Sequence, residues 1–111
     1  LQALEVTADI QDEIVNACLG QEFLKSSAAT FFWVADSYRN RWRYGERGIR
    51  YLFLDAGHVC QNLYLAATAI DAGACALGAF KDEELNSLLG LDGDNLFVIY
   101  LATVGKLVSQ A

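Results

Sequence analysis

The 111-residue chain contains no proline and no methionine, a single histidine, three cysteines and only eight basic residues. It begins at Leu1, which points to an N-terminus other than a translation start. Fourteen acidic residues against the eight basic ones leave a net charge of −6. That balance argues against nucleic acid as a ligand, because phosphate binding needs a basic face. Cys18, Cys60 and Cys75 are odd in number and show no C-x-x-C spacing, and the lone His58 completes no familiar zinc set with them. No metal site is expected; reduced, buried thiols of a cytoplasmic protein are. There is no Gly-x-Ser-x-Gly nucleophile motif, no Walker-type phosphate loop and no Gly-x-Gly-x-x-Gly after a strand. Nothing at the start resembles a signal peptide, since Glu5 and Asp9 interrupt any apolar region.

What the chain has in excess is apolar surface. It is 54% hydrophobic, with a mean hydropathy of +0.23, which is rich for a small domain and implies surface meant for a partner, foremost a second copy. The richest stretch is Asp55 to Gly73, DAGHVCQNLYLAATAIDAG, with no charge between Asp55 and Asp71. At helical spacing Leu52, Ala56, Val59, Leu63, Ala67 and Ile70 share one face, and Phe53, Cys60 and Tyr64 form a second stripe. A helix apolar on most of its circumference is buried on most sides, either as the core helix or as half of a dimer interface. His58, Gln61, Asn62 and Thr68 interrupt the run, so it is not a membrane span, which needs about 20 consecutive apolar residues. Gly73 is expected to stop the helix.

Around this helix the order of elements is legible. Asp9 is placed to cap a helix through Ile10, Ile14 and Cys18 that Gly20 ends. Thr30–Ala35 reads as a buried strand. A helix follows to about Tyr44, then a turn at Gly45 and Gly48, then the long helix from about Ile49. Ala74–Phe80 suits a short buried strand, with Gly78 marking a close approach of backbone or ligand. Asp82 is placed to cap a helix through Leu85, Leu88 and Leu89 that Gly90 ends, and Leu96–Val104 is an uncharged central strand. The sum is a single α/β (α+β) domain over residues 1–111, a layered fold with a small mixed sheet packed by helices. Three strands are fewer than a typical sheet holds, so the sheet is expected to be completed by further chain or by another copy.

Few residues offer chemistry. Five of the eight basic residues, Arg39, Arg41, Arg43, Arg47 and Arg50, lie between Tyr38 and Tyr51. They suit either a site for an anionic or aromatic ligand or a solvated basic segment. Asp12–Glu13 and Asp82–Glu84 lie in first turns of helices, where the dipole favours negative charge. His58 on an apolar helix is read as a core or interface histidine rather than a base.

In order and spacing, ACLGQ (Ala17–Gln21), TFFWVAD, RYGERGIRY, LDAGHVCQNLYLAA, ACALGAF, DEELNSLLGLD and LATVGK resemble the landmarks of nitroreductase-like flavoproteins, and most of all their SagB-type dehydrogenase branch. The resemblance implies an FMN-dependent oxidoreductase, homodimeric through the Asp55–Gly73 helix, passing electrons to a small-molecule acceptor. By the same resemblance Ala76, Leu77, Gly78 and Ala79 lie against the flavin, a main-chain N–H at Ala79 beside Gly78 meets its N5, and Lys106 lies towards its phosphate. Arg43 and Tyr44 stand where azoline-oxidising members carry a Lys-Tyr pair; arginine stays protonated and is a poor base. The family's N-terminal phosphate-binding segment has no counterpart before Asp9, so the chain is expected to be the C-terminal half of such a fold. The alternative function is a non-catalytic dimerising or partner-binding module derived from it.

Overall fold

A computed structural model describes residues 1–108. Helix α1 (Ala8–Ala17) starts at Thr7, whose hydroxyl accepts the Ile10 N–H at 3.2 Å. Thr7, not Asp9, is therefore the cap, and Asp9 sits in the first turn, where it faces the positive end of the dipole. The helix closes in a paired turn: Gly20 N–H reaches Val15 O at 2.8 Å and Leu19 N–H reaches Asn16 O at 3.3 Å. Leu19 and Gly20 both take positive φ there, the left-handed exit that satisfies helix-end carbonyls. A one-turn helix α2 (Phe23–Ser26) occupies what the sequence offered only as a connection.

Strands β1 (Ala29–Asp36), β2 (Ala72–Leu77) and β3 (Leu96–Lys106) form a sheet in the order β1-β3-β2. Both pairings are antiparallel, so among the described residues the sheet is not mixed. The last strand enters between the first two and keeps that parallel pair apart. Between Trp33 and Val34 the register slips, Trp33 facing Tyr100 and Val34 facing Val98, which leaves Ile99 as the extra residue of a bulge. The bulge turns Val98 to the same face as Leu101. There both pack with Val15 of α1 and Cys18 just after it, Leu24 of α2, Leu77 of β2 and Leu85 of α5 (Asp82–Leu88). Asn86 fastens α5 to the bulge, its Oδ1 accepting the Val98 N–H at 2.8 Å. Helix α5 is preceded by Lys81, with Asp82, Glu83 and Glu84 filling its first turn, so the cap is not Asp82.

The opposite face carries α4 (Gly48–Ala69), with α3 (Ser37–Tyr44) and a 3-10 turn (Gly45–Arg47) leading into it. Gly48 opens α4 because a Cβ there would collide with the Asn40 side chain. The helix ends at Ala69, and Asp71 at φ 57° takes the left-handed position. Gly73 is therefore not the stop. It pairs with Gly105 inside β2, where a Cβ would come within 2.7 Å of the Leu107 side chain. Nor is α4 buried on most sides of this chain. Ala56, Cys60 and Ala67 turn inward, while Phe53 and Leu65 are each 60% exposed and Leu54 and Val59 are exposed as well. Among the described residues no helix is long and apolar enough to cross a membrane.

Candidate functional site

Strand β2 ends at Leu77, three residues before the expected end, so Gly78, Ala79 and Phe80 form the loop between β2 and α5. The loop is tied down from the α1 side. Lys81 N–H donates to Ala17 O at 2.7 Å, and Gln21 Nε2 donates to Ala79 O at 3.1 Å and to Cys18 O at 2.7 Å. Ala17 and Cys18 are helix-end residues whose carbonyls α1 cannot satisfy by itself. On the free side, the N–H groups of Gly78, Ala79 and Phe80 meet no acceptor among the described residues. A Cβ built at Gly78 meets nothing within 4 Å. The loop thus leaves consecutive main-chain donors without an acceptor among the described residues and keeps the side-chain position of Gly78 open, an arrangement that can receive an acceptor atom of a ligand.

Just before it, the Ala76 N–H is already taken by the Tyr64 hydroxyl of α4 at 2.8 Å. Leu77 is 3% exposed, its side chain in the core. Of the four residues singled out here from the sequence, only Gly78 and Ala79 present free donors. The Tyr64 tether was not legible beforehand, because it joins residues of two elements through a side chain that sequence spacing assigns to an apolar stripe. Beside it, burial pushes the Cys60 thiol above its usual value, while a hydrogen bond with Tyr100 acts the other way. The Tyr100 hydroxyl is pushed up in turn, first by burial and then by Cys60 and Tyr64.

Arg43 and Tyr44 end α3. The Asp36 carboxylate caps that helix, accepting the Arg39 N–H at 3.1 Å. The Arg43 guanidinium stands 5.4 Å from the Tyr44 ring centre, and Tyr44 meets Tyr51 of α4 edge-on at 5.0 Å. Trp42 beside them is 81% exposed. A cleft of about 280 Å³ opens nearby, lined by Ser37, Asn40, Arg41, Leu52, Asp94 and Phe97 among others.

These groups do not converge in one copy of the chain. Tyr44 touches α4 at Tyr51 and Ala76 touches it at Tyr64; thirteen residues at 1.5 Å each put those contacts about 20 Å apart along the axis. Lys106 is the last residue of β3 and pairs with Ala72, whereas Leu77 pairs with Leu101. Five residues of strand, about 17 Å, separate Lys106 from the loop. Among the described residues no group of three His, Cys, Asp or Glu side chains could hold a metal ion, and Cys18, Cys60 and Cys75 are all unpaired.

The fold recurs in solved structures. The NADPH:FMN oxidoreductase of Vibrio harveyi superposes with a TM-score of 0.80 at 19% identity, over 95% of this chain and 49% of that one. A protein of Anabaena variabilis, provisionally named a nitroreductase, superposes with a TM-score of 0.79 at 37% identity, over 89% of this chain and 20% of that one. MJ1384 of Methanocaldococcus jannaschii, also provisionally named a nitroreductase, is 36% identical over 81 residues, 73% of this chain and 41% of that protein. The sequence model of the Nitroreductase family matches residues 2–106. The chain belongs to the Nitroreductase family, and it spans less than half the length of these relatives.

Proposed function

We propose that the chain forms part of an FMN-dependent oxidoreductase, of the SagB-type dehydrogenase branch, that passes electrons to a small-molecule acceptor. The observation that carries this reading is the Gly78–Phe80 loop, with unpartnered N–H groups and open space where a side chain would stand. Those features fit a flavin edge, since main-chain donors stabilise negative charge with little reorganisation and small residues admit a ring. In this reading Gly78 and Ala79 donate to the flavin, Ala76 and Leu77 carry the strand that holds them, and Lys106 offers its ammonium to the phosphate. Bound FMN supplies the two-electron redox chemistry. Arg43 and Tyr44 face the acceptor. The arginine stays cationic and orients an anionic or aromatic group rather than removing a proton.

A homodimer through α4 belongs to the same proposal. Phe53, Leu54, Val59 and Leu65 leave large apolar side chains open along α4. One copy holds its Arg43–Tyr44 pair at the N-terminal end of that helix, and its Gly78–Ala79 loop apart from it, beyond Ala76 and Tyr64. Two copies related by a twofold axis, their α4 helices antiparallel, bring the first of one beside the second of the other. Titration of the full-length protein with FMN tests the reading: saturable uptake supports it. The same exposed face supports a second reading, a dimerising module without catalysis. That reading expects a stable dimer that takes up no FMN. Three unpaired thiols accord with a cytoplasmic location under either.

A further inference from the structure

We propose that Gln21 is a positioning residue for the flavin-facing donors, an inference that rests on the FMN reading above. Gln21 follows the left-handed pair Leu19 and Gly20, which turns the chain back over the end of α1. Its carboxamide nitrogen donates to Cys18 O at 2.7 Å and, across 58 residues of sequence, to Ala79 O at 3.1 Å. One side chain thereby bridges the end of α1 and the loop after β2.

The consequence follows from peptide geometry. No peptide bond in the described chain is cis, and in a planar trans peptide the C=O and N–H point in opposite directions. Fixing Ala79 O on Gln21 therefore aims the Phe80 N–H directly away from α1. It also restrains ψ of Ala79, one of the two rotations that link this peptide to the one carrying the Ala79 N–H. Lys81 N–H on Ala17 O closes the far side of the loop at 2.7 Å. Exposed small residues such as Gly78 and Ala79 have no packing to hold them, so without the Gln21 bridge only their two ends would be constrained. Gln21 thus sets the direction of the donors without touching the ligand, and the Phe80 N–H joins those of Gly78 and Ala79 as a third donor.

The test uses the full-length protein with added FMN. Gln21→Met keeps the length and volume of the side chain and removes its N–H donors; Gln21→Lys keeps donors on a comparable stem. For Gln21→Met, FMN binding is expected to weaken about tenfold, the size of one net hydrogen bond. The flavin midpoint potential is expected to move to a more negative value, since misaimed donors stabilise the reduced flavin less. In the FMN-free protein, amide exchange at Lys81 is expected to accelerate. Gln21→Lys is expected to recover most of the affinity. Wild-type affinity and potential in Gln21→Met would overturn the proposal while leaving the flavin reading in place. So would a loss that Gln21→Lys does not recover, since that marks a purely structural role. Failure of the unmodified protein to take up FMN would remove both.

Discussion

On one face of the sheet Val98 and Leu101 are wholly buried against α1 and α5, as is Leu85 of α5, whereas on the other α4 fully buries only Gly48, Ala56, Cys60 and Ala67, half-buries Leu52, Leu63 and Tyr64, and leaves Phe53, Leu54 and Leu65 to solvent. The first face uses long branched side chains that interlock. The second fully buries only small ones, which bring the helix close to the sheet, and half-buries its larger ones, so it removes less apolar area from water. The difference shows that the two apolar layers have different tasks. One holds the protomer together. The other keeps a backbone near the sheet, fastens Ala76 through Tyr64, and presents a further apolar surface outward.

The contrast can be broken by paired truncations. Leu85→Ala empties a fully buried position and is expected to cost about 2 to 5 kcal/mol in urea unfolding. Leu65→Ala, on the exposed face of α4, is expected to stay within about 0.5 kcal/mol for the protomer. A cost at Leu65 equal to that at Leu85 would mean that α4 is packed within one copy. Leu65→Lys sharpens the point: the proposed dimer is expected to dissociate in sedimentation, because an unpaired charge is costly in an apolar interface. Unchanged sedimentation would place the interface elsewhere.

The loop and the α3 end give smaller effects. Arg43→Ala is expected to weaken flavin or acceptor binding while the melting temperature stays nearly constant, since Arg43 is exposed and its guanidinium lies against the Tyr44 ring. Equal losses of binding and stability would instead mark a structural role. The smallest effect is expected at Asp92, whose carboxylate accepts the Leu96 and Asp94 N–H groups and is held below its usual 3.8, foremost by Leu96. A carboxyl lowered in the folded state stabilises fully above that usual value and loses its contribution as pH falls through the lowered one. Asp92→Asn should therefore flatten the stability–pH curve below about pH 4. A curve identical to wild type would remove Asp92 from the acid response.

The same contrast explains what was legible in the sequence. The strand positions, the turn at Gly45 and the long helix are set by local patterns, and the strand over Leu96–Val104 is central as its uncharged run implied. Helix ends were less legible. Asp9, Gly73 and Asp82 have the right chemistry for caps, but Thr7, Asp71 and Lys81 hold those places because neighbouring contacts decided between adjacent candidates. The apolar circumference of α4 was legible, but not which part faces the sheet, since periodicity cannot distinguish an inner small-residue face from an outer large-residue one. At the candidate site, the small residues at Gly78 and Ala79 announced a close approach. The tethers from Gln21 and Tyr64 did not, because each is a long-range hydrogen bond from a side chain without a local motif.

The proposed flavin contact rests on the open donors at Gly78 and Ala79, and one titration addresses them. Full-length wild-type protein and Gly78→Val are titrated with FMN, with melting curves recorded for the FMN-free forms. A Cβ at Gly78 meets no atom within 4 Å, and Gly78 lies outside the positive-φ region, so valine is expected to leave the FMN-free melting temperature nearly unchanged. It is expected to abolish or sharply weaken FMN uptake by filling the place of the ring. Normal FMN binding by Gly78→Val, or a wild-type protein that ignores FMN, would contradict the account.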